Sequence, residues 1–158
     1  MKHVRWGLIG CGDIAMRCVG PAINGLDSSD LMAVSRKDHS VLKTCAERLK
    51  STKQYDDWQA LVQDPEIDAV YIATPVFLHC KQAVTAAEAG KHILCEKPMA
   101  LTSSECEKMI SAARRNGVYL GIAYYRHYYP IVARLKELIT TGAIGQVMMI
   151  QIDAYETP

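Results

Sequence analysis

The stretch Val4-Arg5-Trp6-Gly7-Leu8-Ile9-Gly10-Cys11-Gly12-Asp13-Ile14-Ala15 decides how the rest of the chain is read. A short apolar run stops at Gly10, Gly12 follows two positions later, and Ala15 comes three after that. This is what a strand needs if it must turn at once into a helix. Gly10 permits the tight turn, Gly12 has no Cβ and lets the backbone approach a pyrophosphate, and Ala15 lets helix and strand pack closely. The helix that starts here offers amides, those of Asp13 and Ile14 among them, and a partial positive charge to phosphate oxygens. Taken alone, the same pattern also describes a tight turn without a ligand.

The context removes much of that ambiguity. The helical stretch after the glycines runs to about Asn24, bent at Gly20-Pro21 and stopped by Gly25. Leu31 to Val34 is a second buried strand. Asp38 to Lys50 places Val41, Leu42, Cys45, Ala46 and Leu49 at helical spacing. A short strand near Gln54-Tyr55 precedes a helix capped by Asp57 and ended by Asp64-Pro65. Ile67 to Ala73 is a third strong strand, β-branched and apolar without alternation. Helix Phe77–Ala89, strand His92–Cys95, helix Ser103–Arg115 and strand Val118–Ala123 complete the series. Flat apolarity fits strands covered on both faces, so residues 1–123 are expected to form an α/β domain, a doubly wound parallel sheet.

Beyond that point the pattern changes. Pro130 to Thr141 reads as a connector helix, and Gln146 to Tyr155 alternates, with Met148, Ile150, Ile152 and Ala154 on one face. That period predicts a strand of a different, half-exposed sheet. Residues 124–158 are therefore read as the first helix and strand of a second, α+β domain. An unpaired apolar edge predicts dimerisation through this segment, or disorder beyond Gly145.

Composition excludes several functions. With 158 residues, 49% hydrophobic, 22% charged and a net charge of +1, the chain has ample core but no electrostatic footprint for nucleic acid or an anionic membrane. Its six cysteines form no Cys-x-x-Cys pair and meet no His cluster, which points away from a metal site and toward a reducing compartment. The basic start lacks the apolar core of a signal peptide. The longest uncharged run, Ala69 to Cys80, is shorter than the ~20 residues that span a bilayer. A soluble, cytoplasmic protein is expected.

Three more places carry chemistry. At the end of the second strand, where NAD enzymes usually hold a carboxylate for the ribose hydroxyls, stands Ser35-Arg36-Lys37. A hydroxyl followed by two cations suits a 2′-phosphate, with Arg36 forking onto its oxygens and stacking on adenine; without the upstream glycines it would be a solvated basic turn. Thr74 and Pro75 end the third strong strand, where they would line a cofactor cleft, with His79 one helical turn on. Glu96-Lys97-Pro98 ends the next strand on the same rim. A lysine held there beside Glu96, aimed by Pro98, can exchange a proton with a substrate hydroxyl.

Together these motifs resemble the Gfo/Idh/MocA family of oxidoreductases. The likeness rests on Gly10 to Ala15, Ala73-Thr74-Pro75 with His79, Glu96-Lys97-Pro98, Tyr125-Arg126 ahead of Pro130, and the tail Leu135 to Ile139 with Gly142, Ile144 and Gly145. It implies catalysis by Lys97, which also helps orient substrate and nicotinamide, with Arg126 near the cofactor. It further implies NADP, with NAD possible, a sugar- or polyol-type small-molecule substrate, and a homo-oligomeric parent. Two departures stand out: Val76 replaces the family's usual Asn, and family enzymes are much longer, with further catalytic groups in a second domain. The chain is thus expected to bind cofactor without full activity. The other readings are a non-enzymatic dinucleotide sensor of the same fold, against which the retained Lys97 argues, and an interaction module pairing through residues 146–155.

Overall fold

The computed structural model describes residues 3–153. The chain divides into two compact units, Met1–Ala123 and Tyr124–Pro158.

The first unit is built on a six-stranded parallel sheet in the order β3-β2-β1-β4-β5-β6. Its strands are β1 (Val4–Ile9), β2 (Ser29–Ser35), β3 (Lys53–Tyr55), β4 (Ala69–Ile72), β5 (His92–Cys95) and β6 (Leu120–Ile122). Neighbouring side chains on a strand point to opposite faces, and here both faces are apolar. Ile9, Val70, Ile72, Ile93 and Cys95 pack on one side with Leu61, Ala83, Ala86 and Met109. Leu8, Leu31, Val34 and Tyr71 pack on the other with Ala15, Leu42, Cys45 and Leu49. This double covering is why the strands read as unbroken apolar runs.

The helices start where the sequence supplies caps. Asp38 accepts from the amides of Ser40 and Val41 at the head of α2 (His39–Leu49). Asp57 accepts from Gln59 at the head of α3 (Trp58–Gln63). Thr102 accepts from Glu105 before α5 (Ser103–Arg115), and the Glu105 carboxylate reaches back to the Leu101 amide. α4 (Val76–Glu88) begins without a side-chain cap, on Pro75. The first helix departs from the expected simple bend. Ala15–Val19 winds as a π turn, with the Gly20 amide bonding to the Ala15 carbonyl, and continues as α1 (Gly20–Asn24). The wider turn accommodates Pro21, which has no N–H to give and whose ring would crowd the carbonyl four residues back.

In the second unit a short 3-10 turn, Tyr125–Tyr128, leads into α6 (Pro130–Thr140). The strand expected over Gln146–Tyr155 is not found in residues 146–153, which are exposed and carry no ladder; Ala154 and Tyr155 lie outside the described residues. The alternating pattern is present, but a strand exists only through hydrogen bonds to a neighbour, and no neighbour is provided among the described residues.

At the amino end of the sheet, polar groups fasten the strands. Arg5 forks onto Asp68, with contacts of 2.9 and 2.8 Å, joining β1 to the start of β4. Lys91 is buried and donates to the carbonyls of Asp64 and Ile67. The Asp64 carboxylate accepts from Lys53, the Tyr55 hydroxyl and the Glu66 amide. Burial pushes the Asp64 carboxyl up, yet Lys53 and the two hydrogen bonds outweigh it and bring it down to about 2. A carboxylate depressed in the folded state stabilises fully above its ordinary value and loses that contribution as pH falls through the folded one. Asp64→Asn should therefore cost about 2 kcal/mol in denaturant melts near neutral pH. The gap from wild type should close between about pH 4 and pH 2.

Candidate functional site

The sheet order reverses beside β1, since the chain moves outward through β2 and β3 and then crosses back to β4. A parallel sheet opens a crevice at such a point, beyond the carboxyl ends of its strands. A cleft of about 770 Å³ lies there. Its lining comes from four successive strand ends: Ile9 and Gly10; Ser35, Arg36, Lys37 and His39; Asp56, Asp57 and Trp58; and Ala73, Thr74 and Pro75, backed by Leu78 and Gln82 of α4.

Gly10 makes the opening possible. Its φ is +101°, and a Cβ there would stand 2.6 Å from the Ala73 carbonyl oxygen, so a side chain is excluded on both counts. Its amide donates to the Ser35 carbonyl at 2.9 Å, tying the loop to β2. A Cβ on Gly12, by contrast, would meet nothing within 4 Å. The space a ligand's diphosphate needs is free, and the residues fit such a group. Cys11, between the two glycines, is turned inward, its Sγ 3.7 Å from the Ser35 carbonyl. A hydrogen bond with Cys45 and burial push its thiol up, so it stays neutral and leaves the loop's outer side to the backbone. Ala15 is fully buried under the loop; Asp13 and Ile14 are exposed, and Asp13 pairs with Arg17 at 3.4 Å.

Ser35 is buried at the cleft wall, whereas Arg36 and Lys37 are exposed at its rim. The Arg36 amide is held by the Tyr55 carbonyl at 3.0 Å. Two carboxylates share this end of the cleft: Asp57 caps α3, and Asp56 is exposed, 3.8 Å from His39 Nε2. The residues around this third strand end, together with Leu78 and Gln82, were not anticipated from sequence. The only signal there was the helix-capping Asp57, which has a complete structural explanation of its own.

His79 was expected to face the cofactor, and its geometry assigns it different work. It is 1% exposed, with Nε2 2.8 Å from the Thr74 carbonyl and Nδ1 3.0 Å from the Pro98 carbonyl. Each ring nitrogen faces a carbonyl oxygen, of which a neutral imidazole donates to one at a time, so His79 is wedged between two loops and contributes nothing to the cleft lining. Thr74 is fixed further by its hydroxyl, which donates to Gln82 Oε1 at 2.6 Å. Val76, in the place of the family's usual Asn, is half-buried as the first residue of α4.

Glu96 also differs from expectation. Its carboxylate is turned under the sheet, accepting from the Tyr71 hydroxyl at 2.8 Å and from the Lys97 amide at 3.2 Å, instead of meeting the Lys97 ammonium. The turn at Lys97 is thus gripped through Glu96 on one face of the sheet and through Pro98 on the other. Lys97 itself is exposed, and among the described residues its ammonium makes no hydrogen bond or ion pair. Burial and the Glu96 carboxylate together push the Tyr71 phenol up, keeping it a donor. Arg126 lies exposed in the 3-10 turn of the second unit.

A doubly wound parallel sheet with a glycine loop at its switch point defines a dinucleotide-binding domain of the Rossmann type. The family described as an oxidoreductase family with an NAD-binding Rossmann fold matches residues 4–124, and the chain belongs to that Gfo/Idh/MocA family. An oxidoreductase of Formosa agariphila is 35% identical over 156 residues, covering 99% of this chain and 49% of the relative. The NADP(+)-dependent D-xylose 1-dehydrogenase of Hypocrea jecorina is 33% identical, covering 91% of this chain and 40% of the relative. Among solved structures, the 3-ketoreductase KijD10 of Actinomadura kijaniata with NADP is similar at a TM-score of 0.85 and 29% identity, over 92% of this chain and 46% of that one. The chain spans about half the length of the curated relatives it matches.

Tyr71→Phe strands a buried Glu96 oxygen without its donor and should destabilise the first unit by about 1–3 kcal/mol. Pairing Tyr71→Phe with Glu96→Leu should recover part of that loss in a double-mutant cycle followed by chemical denaturation.

Proposed function

We propose that residues 1–158 are the NADP-binding part of a dehydrogenase or reductase acting on a secondary alcohol of a sugar, polyol or related substrate. The observation that carries this reading is the basic end of β2: Arg36 and Lys37 stand at the rim of the cleft that Gly10 opens, where an NAD enzyme would hold a carboxylate. Arg36 would fork onto the 2′-phosphate oxygens while Lys37 adds a point charge. The backbone of Gly10 to Ile14 and the start of the first helix would hold the diphosphate, and Thr74 and Pro75 would line the middle of the cofactor. The relatives named for NADP and for sugar or keto substrates support the same assignment.

When bound, the nicotinamide supplies hydride donation or acceptance. The protein's own part in the chemistry falls to Lys97, whose Nζ would give or take the proton at the substrate oxygen. Glu96, held by Tyr71, keeps the Lys97 backbone in place without neutralising the ammonium. Arg126, in the second unit, is assigned to the cofactor by family likeness alone. Stabilising the developing alkoxide requires a closed, water-poor site, and the curated relatives carry about as many residues again as this chain matches. Residues 1–158 alone therefore bind cofactor with little or no turnover.

Calorimetric titration of the purified chain should show NADP binding more tightly than NAD. Arg36→Asp should shift the ratio of the two affinities toward NAD by at least about tenfold. An unchanged ratio, or no binding of either dinucleotide, would overturn the assignment.

A further inference from the structure

One wall of the cleft belongs neither to the glycine loop nor to the basic turn. Trp58, the first residue of α3, lines it, half-buried, with the apolar side chains of Pro75 and Leu78 also contributing to the lining. The Asp57 carboxylate fixes this position by accepting from the Gln59 amide at 3.0 Å. Trp58 packs in part against the core cluster, and none of the ring–ring contacts among the described residues involves it. Apart from Ile9, Gly10, Ala73, Pro75 and Leu78, the rest of the lining is polar or charged.

The direction of a bound dinucleotide follows from the strand order. With the diphosphate at the β1 loop and the ribose phosphate at the end of β2, the next position outward is the end of β3, which is where Trp58 stands. We infer that Trp58 is the flat wall against which the adenine of the cofactor is held, so that the turn after β3, together with the turn after β2, sets affinity for the adenosine end. This inference rests on the NADP reading above. A large π face suits it, because base–aromatic stacking contributes binding without any hydrogen-bond code. Asp56 precedes this wall and lies 3.8 Å from His39, just beyond the phosphate-binding turn.

The test uses 2′,5′-ADP, the adenosine end without nicotinamide, titrated into the intact chain. Trp58→Leu, which keeps an apolar side chain but removes the π face, should weaken binding between about fivefold and a hundredfold, whereas Trp58→Phe should retain most of the affinity. The chain has two tryptophans. With Trp6→Phe, the remaining Trp58 emission should change on saturation; with Trp58→Phe, the emission of Trp6 should not. Equal affinity of wild type and a folded Trp58→Leu protein would overturn the inference and leave the NADP reading standing. If Trp58→Leu fails to fold, the Trp6→Phe protein decides: saturation without a change in emission overturns the inference. Failure of the wild-type chain to bind either 2′,5′-ADP or NADP would overturn both.

Discussion

The carbonyl oxygen of Ala73 occupies the place where a side chain on residue 10 would begin, and the rest of the site depends on that exclusion. Because residue 10 is glycine at a φ of +101°, the end of β1 can press against the end of β4 and still turn sharply into the first helix. The strands then part above this contact, and the cleft opens between loops that all leave the same edge of the sheet. Gly12 complements it: nothing in the protein fills the space before it. One glycine is required by what is near, the other by what must be allowed to approach.

A second constraint concerns precision. The turn at Lys97 is anchored on opposite faces of the sheet, by Tyr71 through Glu96 and by His79 through the Pro98 carbonyl. A side chain that must be placed precisely needs its backbone held, and a turn secured from one side would rotate. Glu96 does this from a buried position, where an unpartnered carboxylate would be costly. The Tyr71 hydroxyl and the Lys97 amide meet that cost, so the ammonium does not have to.

Much of the fold was legible because its signals are local and redundant. The glycine pattern, the flat apolar runs and the capping Asp38, Asp57 and Thr102 each specify an element, and they agree. The π turn at Ala15–Val19 was visible only as a bend, because Gly20-Pro21 shows that a regular helix is impossible without showing which distortion relieves it. The alternation over residues 146–155 predicted a strand that residues 146–153 do not form, for a different reason: alternation reports which face is apolar, whereas a strand needs a partner that no local pattern contains. In the site, the residues on the rim could be found by position at strand ends. The directions of Glu96 and His79 could not, since a carboxylate beside a lysine and a histidine beside a cleft both suggest an outward role. Their partners, Tyr71 and the Thr74 and Pro98 carbonyls, are distant in sequence and have no motif of their own.

The tether at His79 has a mechanical consequence. Seated between the carbonyls of Thr74 and Pro98, its buried ring packs the loop under the middle of the cleft against the loop that carries Lys97. A displacement of the Thr74 loop is passed to the Pro98 turn through this ring, which belongs to α4. The fit of a dinucleotide along the strand ends would thus be felt, as a small rotation, at the amine.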